Sequence, residues 1–199
     1  MRYALAALTL FIGIGSASIA EERAIFAGGC FWCVESDFEH VTGVIEARSG
    51  YIGGTVENPT YKQVTAGGTG HFEAVEITYD PNVIAYSQLV DIFFRSVDPT
   101  DADGQFCDRG ESYRTAIFAD GEEELKAAAE AKRQASIELG AHVATIVQPA
   151  MPFYPAEDYH QDYYKKNSLK YNFYRFTCGR NKRVEQLWGK RAYQGIKDH

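Results

Sequence analysis

The 199-residue chain predicts an α+β fold: a ferredoxin-like split βαβ sheet with helices on it and a loop-rich C-terminal tail. Two observations carry this expectation. Hydrophobic patterns of period two and period 3.6 follow one another in the order β-α-β-β-α-β, the order of a split βαβ sheet. No repeat and no low-complexity linker interrupts them, so residues 21–199 read as one domain.

Residues 1–20 stand apart from that domain. Arg2, an apolar run over 4–14 and the small-residue end Ser18-Ile19-Ala20 have the layout of a cleavable signal peptide. The apolar run is shorter than the roughly 20 residues that cross a bilayer. A periplasmic or secreted chain, out of the membrane after cleavage, is therefore expected.

A first strand reads over 24–27 and stops at Gly28-Gly29. Phe31, Val34, Phe38 and Val41 then recur on one helical face, which puts Cys30 at a helix start. A second strand over 44–51 ends in Gly53-Gly54, and the loop 55–71 that follows is long for a compact domain, a mark of function. The alternating run 72–79 ends at Asp80-Pro81, as strands do. Leu89, Ile92, Phe93 and Val97 form the apolar face of a second helix, and an irregular stretch covers 98–112. A strand over 113–119, an Ala/Glu/Lys-rich helix over 122–139 closed by Gly140, and a last strand over 143–148 complete the order before the aromatic tail.

With 27 acidic against 20 basic residues and a formal charge of −7, the chain is a poor match for nucleic acid or an anionic membrane. Its chemistry concentrates at "GGCFWCVE". A thiol at a helix N-terminus faces unpaired N–H groups and the positive end of the helix dipole, which favour the thiolate and mark Cys30 as a nucleophile. Cys33, one turn on, is placed to resolve an intermediate formed on it. A zinc site would need a second clip of ligands, and Cys107 and Cys178 are single. Phe31 falls on the apolar stripe, whereas Trp32 lies off it and suits a pocket mouth, where its face can hold a methyl group. In "GHFEAVEITYDP" the alternation turns Glu73 to the same side as Val75, Ile77 and Tyr79. A carboxyl group buried there without a cation stays protonated near neutral pH and can donate its proton. Tyr61, Asp108 and Tyr113 lie in two polar loop clusters, and spacing alone does not single them out. A general thiol-disulfide oxidoreductase is the competing reading of the cysteine pair.

The segments "GGCFWCVE", "GYIGG", "NPTYKQV", "GHFEAVEITYDP", "DRGESYRTAIF" and "FYPAEDYHQDYY" resemble, in order, the A-type peptide methionine sulfoxide reductases. The resemblance implies that Cys30 attacks the sulfur of a methionine S-sulfoxide, free or in proteins, and that Glu73 protonates its oxygen. It implies that Tyr61 and Tyr113 hydrogen-bond that oxygen with Asp108 nearby, and that Phe31 and Trp32 hold the S-methyl group. It further implies a thioredoxin-type reductant, here a periplasmic one given the leader, and no metal or organic cofactor. A monomer is expected. Many family members carry Gly where Cys33 stands and Asn where Cys107 stands, so this chain is a Cys-Phe-Trp-Cys variant. Cys178 is the competing resolver. By elimination in an oxidising compartment, Cys107 and Cys178 are expected to pair as a structural disulfide.

Overall fold

The computed structural model describes residues 21–197, and the expected signal peptide lies outside them. Its elements are β1 (Glu22–Gly28), α1 (Phe31–Glu39), β2 (Val44–Ile52), α2 (Tyr61–Thr65), β3 (Phe72–Tyr79), α3 (Tyr86–Phe94), β4 (Gly104–Gln105), β5 (Asp108–Arg109), β6 (Thr115–Ala119), α4 (Gly121–Leu139), β7 (Ile146–Pro149), β8 (Tyr154–Pro155), α5 (Tyr163–Lys166), α6 (Ser168–Cys178) and α7 (Arg180–Trp188).

The sheet runs β7-β6-β1-β3-β2-β8. Its middle four strands are antiparallel in the split βαβ order, with β7 added parallel to β6 and β8 antiparallel to β2. Alternation decides the faces. Phe26, Val75, Ile77, Tyr79 and Ile117 turn to the helical layer, where Val34 and Phe38 of α1, Leu89 and Phe93 of α3, and Ala128 of α4 complete one core. Ile25, Ala27, Ala74, Ala116 and Phe118 form a smaller cluster on the opposite face.

Register places the chemistry. Phe26 of β1 pairs with Val75 of β3, and Tyr51 of β2 pairs with Glu73. Continued by two residues, the first register sets the end of β1, where the chain turns into Cys30 and α1, beside Glu73.

Several expectations are corrected. The tail is largely helical rather than loop-rich, because α5, α6 and α7 occupy it. These helices are short, α6 and α7 are separated only by Gly179, and α6 shows apolar residues to solvent, so no buried stripe announces them. Val41 and Val97 are buried but lie beyond their helices, which end at Glu39 and Phe94. The loop 55–71 contains α2, started by a reciprocal Thr60/Gln63 capping box. Tyr113 closes a 3-10 turn, with β6 beginning at Thr115, and β7 begins at Ile146.

Candidate active site

The turn from β1 into α1 is built for close approach. Gly29 has φ of 81°, and a Cβ there would come within 2.6 Å of the Gln105 side chain, so glycine alone fits. Cys30 is the N-cap of α1, and its carbonyl accepts from the backbone N–H groups of Cys33 (3.1 Å) and Val34 (3.4 Å). The first helical N–H, that of Phe31, donates to Glu73 Oε2 at 3.1 Å.

That bond belongs to Glu73 and not to the thiol, which corrects the expected acidity of Cys30. Cys30 is 7% exposed, and burial pushes its thiol well above the ordinary range; the Cys33 hydrogen bond and the charges of Cys33 and Glu73 act the same way, against a hydrogen bond from Tyr174. The neighbouring thiol moves in the opposite direction. Cys33 is lowered to about 7, first by its hydrogen bond with Cys30 and then by Arg175 and Arg180, while burial opposes. The two thiols share one hydrogen bond and titrate as a pair, and the guanidinium groups of Arg175 and Arg180 draw its negative charge towards Cys33. Glu73, 2% exposed, is pushed up to about 8 by burial, against the Phe31 N–H and Tyr113. It stands as a neutral acid beside Cys30, buried on the side to which the strand alternation turns it.

Cys30, Phe31, Trp32, Tyr61, Glu73, Asp108, Tyr113 and Tyr174 line a single cavity of about 60 Å³. The eight side chains come from α1, α2, β3, β5, the 3-10 turn and α6, so this assembly unites every residue singled out in the sequence except Cys33, which lies behind Cys30. Burial raises the phenols, Tyr61 to about 12 and Tyr113 further, which keeps both as hydrogen-bond donors. Burial also raises the Asp108 carboxyl, against a hydrogen bond donated by the Tyr174 hydroxyl. A far larger concavity, about 1040 Å³, is lined by Glu21, Arg48, Glu76 and Asp120 among others. It is open to solvent and holds no cysteine, whereas the smaller one brings a thiol and a neutral carboxyl group together.

A model of the family "Peptide methionine sulfoxide reductase" matches residues 22–192. The chain belongs to that family. It is 51% identical over 189 residues to peptide methionine sulfoxide reductase MsrA 2 of Rhizobium meliloti, covering 95% of this chain and 94% of the relative. It is 48% identical over 178 residues to MsrA of Bacillus licheniformis, covering 87% and 98%. Among solved structures, methionine sulfoxide reductase A of Corynebacterium diphtheriae superposes with a TM-score of 0.73 at 33% identity, over 75% of this chain and 76% of that one. Mxr1 of Saccharomyces cerevisiae in its reduced form gives 0.71 at 33% identity, over 74% and 86%. The activity is thiol-dependent reduction of methionine sulfoxide to methionine.

Further residues that local sequence pattern did not reveal surround the cavity. His160 is buried behind the aromatic wall: its Nδ1 accepts from Trp32 Nε1 at 3.0 Å, and its ring centroid lies 4.9 Å from Phe31 and 4.4 Å from Tyr61. Burial lowers its pKa, so it remains the neutral acceptor that holds the indole. On the other side Trp32 lies flat on Tyr163, 3.8 Å between centroids. Close to Cys33, the buried Asp37 carboxylate meets Arg175 at 2.8 Å and Arg180 at 3.6 Å, and Arg175 donates to the hydroxyl of Tyr171, which lies in one buried cluster with the two thiols. Two buried guanidinium groups against one carboxylate leave the surroundings of Cys33 positive. Cys107 and Cys178 are joined as a disulfide across 71 residues, as elimination predicts, tying the end of α6 to the strand that carries Asp108. His160 and Tyr163 fall in the quoted segment "FYPAEDYHQDYY"; Arg175, Arg180 and Tyr174 had no local signal.

Proposed function

We propose that the chain reduces the S epimer of methionine sulfoxide with Cys30 as nucleophile and Glu73 as proton donor. The observation that carries this reading is the neutral, buried Glu73 carboxyl lining one small cavity with Cys30. A sulfoxide oxygen leaves sulfur only when protonated, and a carboxyl group held near 8 supplies that proton at neutral pH. Tyr61, Tyr113 and Asp108 orient the oxygen, and Phe31 and Trp32 receive the S-methyl group, with His160 and Tyr163 fixing the indole. As Cys30 attacks sulfur, its proton passes across the hydrogen bond to the Cys33 thiolate. The oxygen, protonated by Glu73, passes from the methionine sulfur to the Cys30 sulfur: the sulfoxide S–O bond and the transient S–S bond break, a Cys30 S–O bond forms, methionine departs with the electron pair, and Cys30 is left as a sulfenic acid.

Cys33, now a thiol, attacks the Cys30 sulfur; the sulfenic hydroxyl leaves with its proton as water and a Cys30–Cys33 disulfide forms. Cys178 is already bonded to Cys107, which favours Cys33 as the resolver in this Cys-Phe-Trp-Cys variant. An external protein dithiol of the thioredoxin class then reduces the disulfide and is itself oxidised. The leader at 1–20 supports export, so the donor is a periplasmic or extracellular dithiol protein acting on a monomer of residues 21–199. Among the described residues no helix is long and apolar enough to cross a membrane. The test is a dithiothreitol-driven assay on the two resolved sulfoxide epimers. Methionine should form from the S epimer alone, whereas equal consumption of both, or insulin reduction in their absence, overturns the reading in favour of a general thiol-disulfide oxidoreductase.

A further inference from the structure

One side chain of the cavity takes no part in the proposed steps. Tyr174 lines it from α6, stands edge-on to Trp32 with 6.0 Å between centroids, and donates its hydroxyl to Asp108 Oδ2. One turn further along α6, Cys178 is bonded to Cys107, the chain neighbour of Asp108. The same two segments are therefore joined twice, and the phenol is held at the wall of the cavity.

Cys30 lacks the donor that its place at a helix start promises. Among the described residues none caps α1 through the Cys30 side chain, and the first helical N–H, that of Phe31, is taken by Glu73. Burial and the charges of Cys33 and Glu73 oppose a thiolate at Cys30, while a hydrogen bond from the Tyr174 hydroxyl favours one. The neighbouring phenols are engaged elsewhere: Tyr113 hydrogen-bonds Glu73 and Tyr61, and Tyr171 accepts from Arg175. Burial raises Tyr174 far above the ordinary range, as do the charges of Cys30, Cys33 and Asp108, so it keeps its proton and remains a donor.

We propose that Tyr174 is a further catalytic residue of sulfoxide reduction: its hydroxyl, resting on Asp108, turns to the Cys30 sulfur as negative charge develops there, and supplies the donor that the helix start does not. This rests on the reading of Cys30 as the nucleophile. The step moves a hydrogen bond and no proton. Cys30 gives its own proton to Cys33, and Tyr174 is a phenol before and after. Asp108 holds the hydroxyl between turnovers, and a rotation about the phenolic C–O bond redirects it. A hydrogen bond to charged sulfur in a buried site is worth more than one to a neutral thiol, so the hydroxyl acts when the attack begins.

The test is Tyr174→Phe, which removes the hydroxyl and keeps the ring against Trp32. Single-turnover methionine formation at neutral pH should fall about tenfold or more, with the far-ultraviolet circular dichroism unchanged. A second measurement separates a donor to sulfur from a ring that only packs. In a Cys33→Ser background Cys30 titrates alone, and its thiolate absorbance is followed against pH. Adding Tyr174→Phe should raise the apparent pKa of Cys30 by about one unit or more, whereas adding Asp108→Asn, which leaves the hydroxyl in place, should not raise it. An unchanged Cys30 pKa, or the same rise with Asp108→Asn, overturns the proposal even if the rate falls, because the hydroxyl then acts through Asp108. An unchanged single-turnover rate overturns it as well. Turnover by Cys30→Ser removes the nucleophile and this proposal together, so an inactive Cys30→Ser beside a fully active Tyr174→Phe overturns this proposal alone.

Discussion

At Cys33 and Glu73 the proposed chemistry depends on which side chain holds a proton. Cys33→Ser keeps the nucleophile and the acid but removes the base that takes the Cys30 proton, so it should release about one methionine per enzyme, more slowly than the wild type, and then stall with a protein donor, leaving a sulfenic acid on Cys30 that dimedone traps. Multiple turnovers at the wild-type rate would pass the resolving role to Cys178. Glu73→Gln removes the proton and should slow single-turnover methionine formation by about 10²-fold or more. The same change should stabilise the fold. A carboxyl whose folded pKa, about 8, lies above its ordinary 4.5 contributes stability that is fully present below pH 4.5 and is lost as pH rises through 8. At pH 7 that loss amounts to about 3 kcal/mol, which glutamine does not suffer. Urea denaturation of both proteins at pH 4.5 and pH 7 should show the variant ahead only at the higher pH, and a constant difference would mean that Glu73 is ionised at rest.

Among elements, α6 has the most demanding role. It covers the thiols with Tyr171 and Tyr174, and its last residue is covalently tied to the loop that bears Asp108. Closing a loop of 71 residues restricts the unfolded chain by about 4 kcal/mol. Cys107→Ser/Cys178→Ser should therefore lower unfolding free energy by that order while leaving the Cys30–Cys33 chemistry in place. Denaturation midpoints with and without prior reduction check it: if the double variant matches the oxidised wild type, the bond is not a stabilising one. The short α2 serves similarly at smaller scale. Its capping box starts a single turn whose purpose in the fold is to deliver Tyr61 to the cavity, where its backbone N–H is held by Glu157 at 2.9 Å.

For the whole molecule, the proposed chemistry makes the two perturbed groups set the working pH. The acid form of Glu73 is lost as pH rises through about 8, and the thiolate of Cys33 is lost as pH falls through about 7. With both forms required, kcat/KM should be bell-shaped with its maximum between those values, and Glu73→Gln should retain the lower limb and lose the upper. A profile rising monotonically to pH 9.5 would exclude Glu73 as the proton donor. The split βαβ sheet makes this pairing possible, because antiparallel neighbours β1 and β3 bring the end of one to the start of the other.

Reading the chain for local pattern located that sheet and half of the site, since both rest on near-neighbour periodicity. Alternation over residues 72–79 is enough to turn Glu73 inward, and a glycine pair before an amphipathic run is enough to set Cys30 at a helix start. Tyr61, Asp108 and Tyr113 emerged through family resemblance, because loop residues carry no period. The acidity order of the thiols was legible from neither. It depends on where the first N–H of α1 points, on total burial, and on Arg175 and Arg180, which arrive more than 140 residues downstream of Cys33. The helices of the tail were missed for a related reason. A helix that shows its apolar stripe to solvent and turns its polar residues inward has no meaning until the thiols and charges it covers are in place.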